Sequence, residues 1–161
     1  MLESVKILFD DIETMNCGSK LARCFSGSPN DSHVIYLKGD LGAGKTTFAK
    51  GFLKGMGYEG NVTSPTYTLI EVYRTEFYDI YHVDLYRIKN RKEIFELELN
   101  EEPISSSPYI FLIEWPENGL PDILAANFEI SFSVEESLDQ RTMNVICNTK
   151  KSSNILTSWL K

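Results

Sequence analysis

Apolar and polar positions along the chain change period several times, and each change marks an element. Residues 4–9 alternate like a strand, and Asp10 or Asp11 stands ready to cap a helix that carries Met15, Leu21, Ala22 and Phe25 on one side. A stretch rich in Gly, Ser, Pro and Asn at 26–31 reads as a loop. The run His33-Val-Ile-Tyr-Leu-Lys38 is apolar enough for a buried strand, and Phe48, Ala49, Phe52, Leu53 and Met56 then recur at helical spacing.

The second half is richer in β patterns. Residues 67–73 and 77–83 are β-prone and separated by Arg74-Thr-Glu76, a connection short enough to predict an antiparallel hairpin. A short helix is predicted over 92–99, and Pro108-Tyr-Ile-Phe-Leu-Ile-Glu114 is a nearly continuous apolar run of the kind found in a central strand. After a turn at 116–121, residues 128–134 and 141–147 alternate again and predict a second hairpin, and 152–161 predicts a closing helix with Ile155, Leu156 and Trp159 on one side. No internal repeat, low-complexity tract or linker interrupts this order.

Between the buried strand and the following helix lies Gly39-Asp-Leu-Gly-Ala-Gly-Lys45-Thr46, with the spacing G-x-x-x-x-G-K-T of a phosphate-cradling P-loop. Glycines allow backbone angles that a Cβ forbids and let successive N–H groups approach phosphate oxygens. The new helix points its positive end at the same anion. Lys45 then reaches the β- and γ-phosphates, and the Thr46 hydroxyl is placed to ligate Mg²⁺. Together with the element order, this predicts an α/β fold: a three-layer P-loop NTPase-like domain whose central sheet is mixed, partly parallel and partly antiparallel.

Length and composition narrow the picture. A chain of 161 residues, 42% of them apolar, suits one domain over 1–161. No apolar run reaches membrane-spanning length and the N-terminus turns acidic early, so a cytoplasmic protein is expected, with no membrane partner. Three cysteines without C-x-x-C spacing give neither a disulfide framework nor a zinc site, and Cys17 and Cys24, seven apart on one helix face, are read as core packing. A net charge of −7 argues against gripping nucleic acid unaided, so DNA is not expected and tRNA would be met only through a partner. The basic run Arg87-Ile-Lys89-Asn-Arg91-Lys92 is the local exception and reads as a solvated loop.

A P-loop needs an acid at the end of a neighbouring strand to hold Mg²⁺ or its waters. Glu114 closes its apolar strand as such an acid would, and Asp84, in Tyr81-His-Val-Asp-Leu-Tyr-Arg87, again follows a β run. Glu114 is the favoured metal-side acid and Asp84 the group orienting water or the metal shell, although the two roles are exchangeable. Thr63-Ser64-Pro65-Thr66 offers three hydroxyls either to a γ-phosphate or to an ordinary turn. Trp115 either covers the phosphates or packs, and His82, with no Ser or Cys partner at a recognisable spacing, reads as a core or orienting histidine.

Four ordered segments carry a family resemblance: Gly39 to Thr47, Val62-Thr-Ser-Pro-Thr-Tyr-Thr68, His82-Val-Asp-Leu-Tyr-Arg87 and Leu112-Ile-Glu-Trp-Pro116. Their order resembles the motif set of the TsaE family, also called YjeE. The similarity runs from the helix around Thr14 to the Leu120-Pro121 turn, and beyond it only the late Arg141 matches. Val83 stands where the family commonly has Phe, an apolar exchange. The resemblance implies an ATPase that assists formation of threonylcarbamoyladenosine beside the tRNA anticodon, acting with the TsaB and TsaD proteins and using ATP and Mg²⁺. Carried over, it implies Lys45, Asp84 and Glu114 as catalytic. Thr46, Glu114 and Asp84 are implied on the metal side. Nucleotide contacts are implied for Thr14, Gly39, Asp40, Leu41, Gly42, Ala43, Gly44, Lys45, Thr46, Thr47, Thr66, Trp115 and Arg141. For the adenine contacts, the stretch 11–14 is the expectation.

Two other classes share such a loop. A small-molecule or nucleoside kinase would add an arginine-rich lid, for which 87–92 is the candidate here. A guanine-nucleotide switch would carry N-K-x-D for its base, and Asn148-Thr-Lys-Lys151 is not that pattern.

Overall fold

The computed structural model describes residues 2–8, 10–25, 30–135 and 140–161. Phe9 and residues 26–29, assigned above to a strand end and a loop, lie outside the described residues. The chain runs β1 (Leu2–Leu8), α1 (Asp11–Phe25), β2 (His33–Lys38), α2 (Lys45–Gly55), β3 (Ile70–Arg74), β4 (Asp79–Asp84), α3 (Arg91–Glu96), β5 (Tyr109–Glu114), β6 (Phe128–Glu135), β7 (Gln140–Cys147) and α4 (Lys150–Trp159). A single 3₁₀ turn, Pro116–Asn118, follows β5.

Local chemistry sets most boundaries. Asp10 accepts from the Glu13 amide at 2.7 Å and so caps α1. Asn90 accepts from the Glu93 amide and starts α3 one residue earlier than its apolar pattern indicates. Thr149 and Ser152 form a reciprocal capping box, which moves the start of α4 from the expected 152 back to Lys150. The β3 strand begins at Ile70 rather than 67, because the Leu69 amide closes a turn onto the Pro65 carbonyl at 2.7 Å with Leu69 at φ 66°. Likewise β4 begins at Asp79 rather than 77, since Thr75 bonds both backbone groups of Tyr78.

Seven strands form one sheet in the order β1-β7-β6-β2-β5-β4-β3. Its centre, β6-β2-β5-β4, is parallel, and β1, β7 and β3 are attached antiparallel. Alternation along β2 distributes the core between two faces. Ile35 and Leu37 join Phe25, Phe48, Phe52 and Trp159 under α1, α2 and α4. Val34 and Tyr36 turn to the other face, covered by Ile88, Ile94, Leu99 and Ile123. These are the three expected layers, with the thinner cover formed by short α3 and its flanking loops. No helix of the described residues is long and apolar enough to cross a membrane.

Helices α1 and α2 touch backbone to backbone. A Cβ on Gly51 would stand 2.0 Å from the Met15 carbonyl oxygen, one on Gly18 2.3 Å from that of Phe48, and one on Gly55 2.4 Å from that of Ser19. Cys17 and Cys24 pack at the edge of this core, and burial pushes both thiols up from their ordinary range.

Because the crossing tolerates no side chain, Gly51→Ala should force the helices apart. Overpacking of this kind costs about 1–3 kcal/mol, and the melting temperature should fall by roughly 2–12 °C for a chain of this size. Calorimetry of Gly51→Ala beside the exposed neighbour Lys50→Ala, which should melt near wild type, checks this.

His33 is buried with its ring edge-on to Phe25 at 4.9 Å, and burial pushes its pKa down to about 4. The unfolded chain takes up that proton near pH 6.5, so the folded state loses ground as pH falls from about 6.5 toward 4, at most about 1.4 kcal/mol per pH unit. Urea titrations between pH 7 and 4.5 should give a shallower decline for His33→Gln than for wild type.

Candidate functional site

The loop of residues 39–44 leaves the carboxyl end of β2 at the centre of the parallel strands, where open α/β sheets present their crevice. Gly39, Gly42 and Gly44 hold φ of 133°, 79° and 114°, angles that a Cβ would make costly. Gly44 is the N-cap of α2 and no side chain caps it, so the first amides of the helix face the loop. Lys45 opens α2. Its ammonium donates to the Gly39 and Asp40 carbonyls at 2.6 and 2.8 Å and lies 4.1 Å from the Trp115 ring. Burial pushes the Lys45 amine below its ordinary range, against the opposing pull of Glu114 and Asp84.

Parallel pairing of β4 with β5 sets Asp84 beside Glu114. Both carboxylates are buried, at 3% and 2% exposure, so each needs donors. Glu114 accepts from the Thr46 hydroxyl, which stands 3.0 Å from both of its oxygens. The His82 imidazole is a further partner, with Nε2 2.8 Å from Oε1. Asp84 accepts from the Thr66 hydroxyl at 2.7 Å and from the Tyr86 amide at 2.9 Å. The 63–66 segment forms the turn: the chain folds back after Pro65, and Thr66, bridged to Ser64 at 2.8 Å, also reaches Asp84.

These groups line a cleft of about 380 Å³. Of the residues assigned from the sequence, Leu41, Gly42, Gly44, Lys45, Thr46, Thr47, Thr66, Asp84, Glu114, Trp115 and Arg141 all reach it. Gly39 and Asp40 contribute through their carbonyls to Lys45. The Ala43 side chain is turned into the core, and its amide closes the loop onto Asp40 at 3.1 Å. Thr14 sits just behind the wall: its hydroxyl donates to the Asp10 carbonyl and accepts from Arg141 at 3.4 Å, and its methyl would lie 3.3 Å from a Cβ at Gly44. Asp11 and Tyr86 also line the cleft, and Asp11 is ion-paired with Arg141. Tyr86 stacks against Trp115 at 5.1 Å, which holds the indole over Lys45 while Trp115 itself takes a left-handed backbone at φ 57°. The basic run forms no lid: Arg91 is held by bidentate bonds to Asp122, and Arg87 lies over Tyr67 at 4.1 Å.

The donors near Thr46 are hydroxyl and carboxylate oxygens, the hard set that suits Mg²⁺. No group of three or more His, Cys, Asp or Glu among the described residues is arranged to hold an ion alone. A Mg²⁺ ion here would take Thr46 and one carboxylate and complete its shell with water and phosphate, which is its usual habit.

The family model described as threonylcarbamoyl adenosine biosynthesis protein TsaE matches residues 9–143. The chain belongs to the TsaE family. The match runs past the Leu120-Pro121 turn, where the motif resemblance stops, through β6 and far enough into β7 to take in Arg141. A Haemophilus influenzae protein named tRNA threonylcarbamoyladenosine biosynthesis protein TsaE is 35% identical over 151 residues, 93% of each chain. A Rickettsia bellii protein of the same name is 41% identical over 118 residues, 73% of this chain and 77% of its own. The crystal structure of YdiB from Bacillus subtilis shares the fold of this TsaE family member, with a TM-score of 0.74 at 24% identity over 98% of this chain and 94% of that one.

Proposed function

We propose that this chain binds Mg-ATP in the cleft, hydrolyses it, and so serves the formation of threonylcarbamoyladenosine next to the anticodon of tRNAs, together with TsaB and TsaD. The observation that carries the reading is the cluster in which Thr46, the first hydroxyl of α2, meets the carboxylate that ends β5 while Asp84 stands beside it on β4. Membership of the TsaE family and the names of its relatives supply the pathway.

In this reading Lys45 leaves the Gly39 and Asp40 carbonyls for the β- and γ-phosphates, and the exposed amides of the loop cradle the same oxygens. Thr46 and Glu114 would hold the Mg²⁺ ion. When bound, that ion would supply positive charge against the negative charge that grows during transfer. Asp84, steadied by Thr66 and the Tyr86 amide, orients the attacking water or the metal's own waters. Trp115, Tyr86 and Arg141, the last anchored by Asp11, wall the site.

Arg141 is committed to Asp11 and Thr14, and the basic run carries no lid, so hydrolysis by the isolated chain is expected to be slow. A group supplied in trans can raise such rates by about 10³–10⁵. Acceleration by the TsaB–TsaD pair fits this, and the acidic chain would meet tRNA only through those partners.

Lys45→Ala should keep its circular dichroism and lose nearly all ATP binding. Retention within about threefold, under roughly 0.7 kcal/mol, would refute a phosphate-binding role for the loop.

Asp84→Asn should spare ATP affinity while lowering turnover by about 10²–10⁴ in the reconstituted mixture. ATP turnover and threonylcarbamoyladenosine formation measured with each component omitted in turn test the whole reading. If modification cycles normally without this chain, it fails, and phosphate transfer to an added small acceptor would then favour the kinase.

A further inference from the structure

His82 lies on β4 two residues before Asp84, so the alternation of the strand turns both side chains to one face. The ring is wholly buried, and Nε2 stands 2.8 Å from Glu114 Oε1. Its other nitrogen, Nδ1, is buried without a hydrogen-bond partner among the described residues. An ionised carboxylate only accepts, so Nε2 is the nitrogen that donates in this bond.

A ring kept only for packing would be better replaced by an apolar one, since an unpartnered buried nitrogen is a cost without return. Among the described residues, the ring's hydrogen bond to a side chain goes to Glu114. That carboxylate faces Thr46 with both oxygens, and the imidazole takes Oε1 from a second direction. Two donors from different elements, α2 and β4, leave Glu114 one orientation. A carboxylate that meets a metal is commonly held in this way, and removing its outer partner typically weakens metal binding.

We infer that His82 is the positioning residue for Glu114: its Nε2–H fixes the carboxylate so that the free lone pairs point to the metal beside Thr46. The inference rests on the Mg-ATP reading above and adds a residue to it. The residue sets how well the site takes Mg²⁺, and leaves the affinity for the bare nucleotide alone.

The bond count makes a graded test possible. A Gln amide nitrogen stands as many bonds from Cβ as Nε2 does, whereas an Asn amide falls one bond short and Phe offers no donor. In the full chain, binding of a non-hydrolysable ATP analogue is measured against Mg²⁺ concentration and again in excess chelator. His82→Phe and His82→Asn should each raise the Mg²⁺ needed for half-saturation by about 10–100-fold, with chelated binding unchanged. His82→Gln should stay within about threefold of wild type, inside the range expected when the bond is kept. A wild-type Mg²⁺ profile in Phe or Asn, or a shift in Gln as large as in Phe, overturns the inference and leaves the nucleotide site standing. If wild type itself binds the analogue without regard to Mg²⁺, the Mg-ATP reading falls and the inference falls with it. Should the Phe and Asn chains fail to fold, nitrogen NMR of the wild-type ring decides: a proton on Nε2 supports the inference, and one held on Nδ1 alone overturns it.

Discussion

Two carboxylates buried side by side, Asp84 and Glu114, impose the conditions that the rest of the site satisfies. Like charges out of water repel and lose their hydration, so neither is tenable without donors and a nearby cation. Each draws on separate elements: Glu114 on Thr46 from α2 and His82 from β4, Asp84 on Thr66 and the Tyr86 backbone. Lys45 supplies the positive charge and is itself desolvated, held by loop carbonyls and the Trp115 face. Stability is spent here on burying three charged groups together, the pattern expected where chemistry rather than packing fixes residue choice.

Rigidity around the cleft comes from backbone contact. The α1–α2 crossing brings the two helix backbones together at Gly18, Gly51 and Gly55. The start of α1, with Asp11 and Thr14, therefore keeps a fixed relation to the glycine loop at the start of α2. Arg141 on β7 ties into the same corner through Asp11 and Thr14.

Much of this was legible in the sequence where the signal is local. The run 33–38, the glycine loop and the helical spacing from Phe48 to Met56 gave β2, loop and α2, and the apolar run ending in Glu114 gave β5. The strand starts at 67 and 77 were misread because turn chemistry at Pro65 and Thr75 outweighs the β propensity of Tyr67 and Phe77. The pairing of β1 with β7, the Arg141–Asp11 bond and the aim of His82 at Glu114 join residues far apart in the chain and leave no periodic trace. The fold-back of Trp115 onto Lys45 depends on a left-handed residue that is not glycine, which propensity argues against.

The sheet order has a bearing on how the molecule is made. β1 precedes the other described strands in the sequence, yet its neighbour is β7, with Leu2 opposite Cys147 and Leu8 opposite Arg141. A nascent chain that has already emerged with the glycine loop, Asp84 and Glu114 still has an unpaired first strand, and the guanidinium that closes the corner by Asp11 has yet to appear. Pairing across so long a sequence separation raises the contact order, which slows folding. β7 thus closes the corner from far along the chain: without it the glycine loop, Asp84 and Glu114 would remain, but the cleft would lack Arg141 beside Asp11.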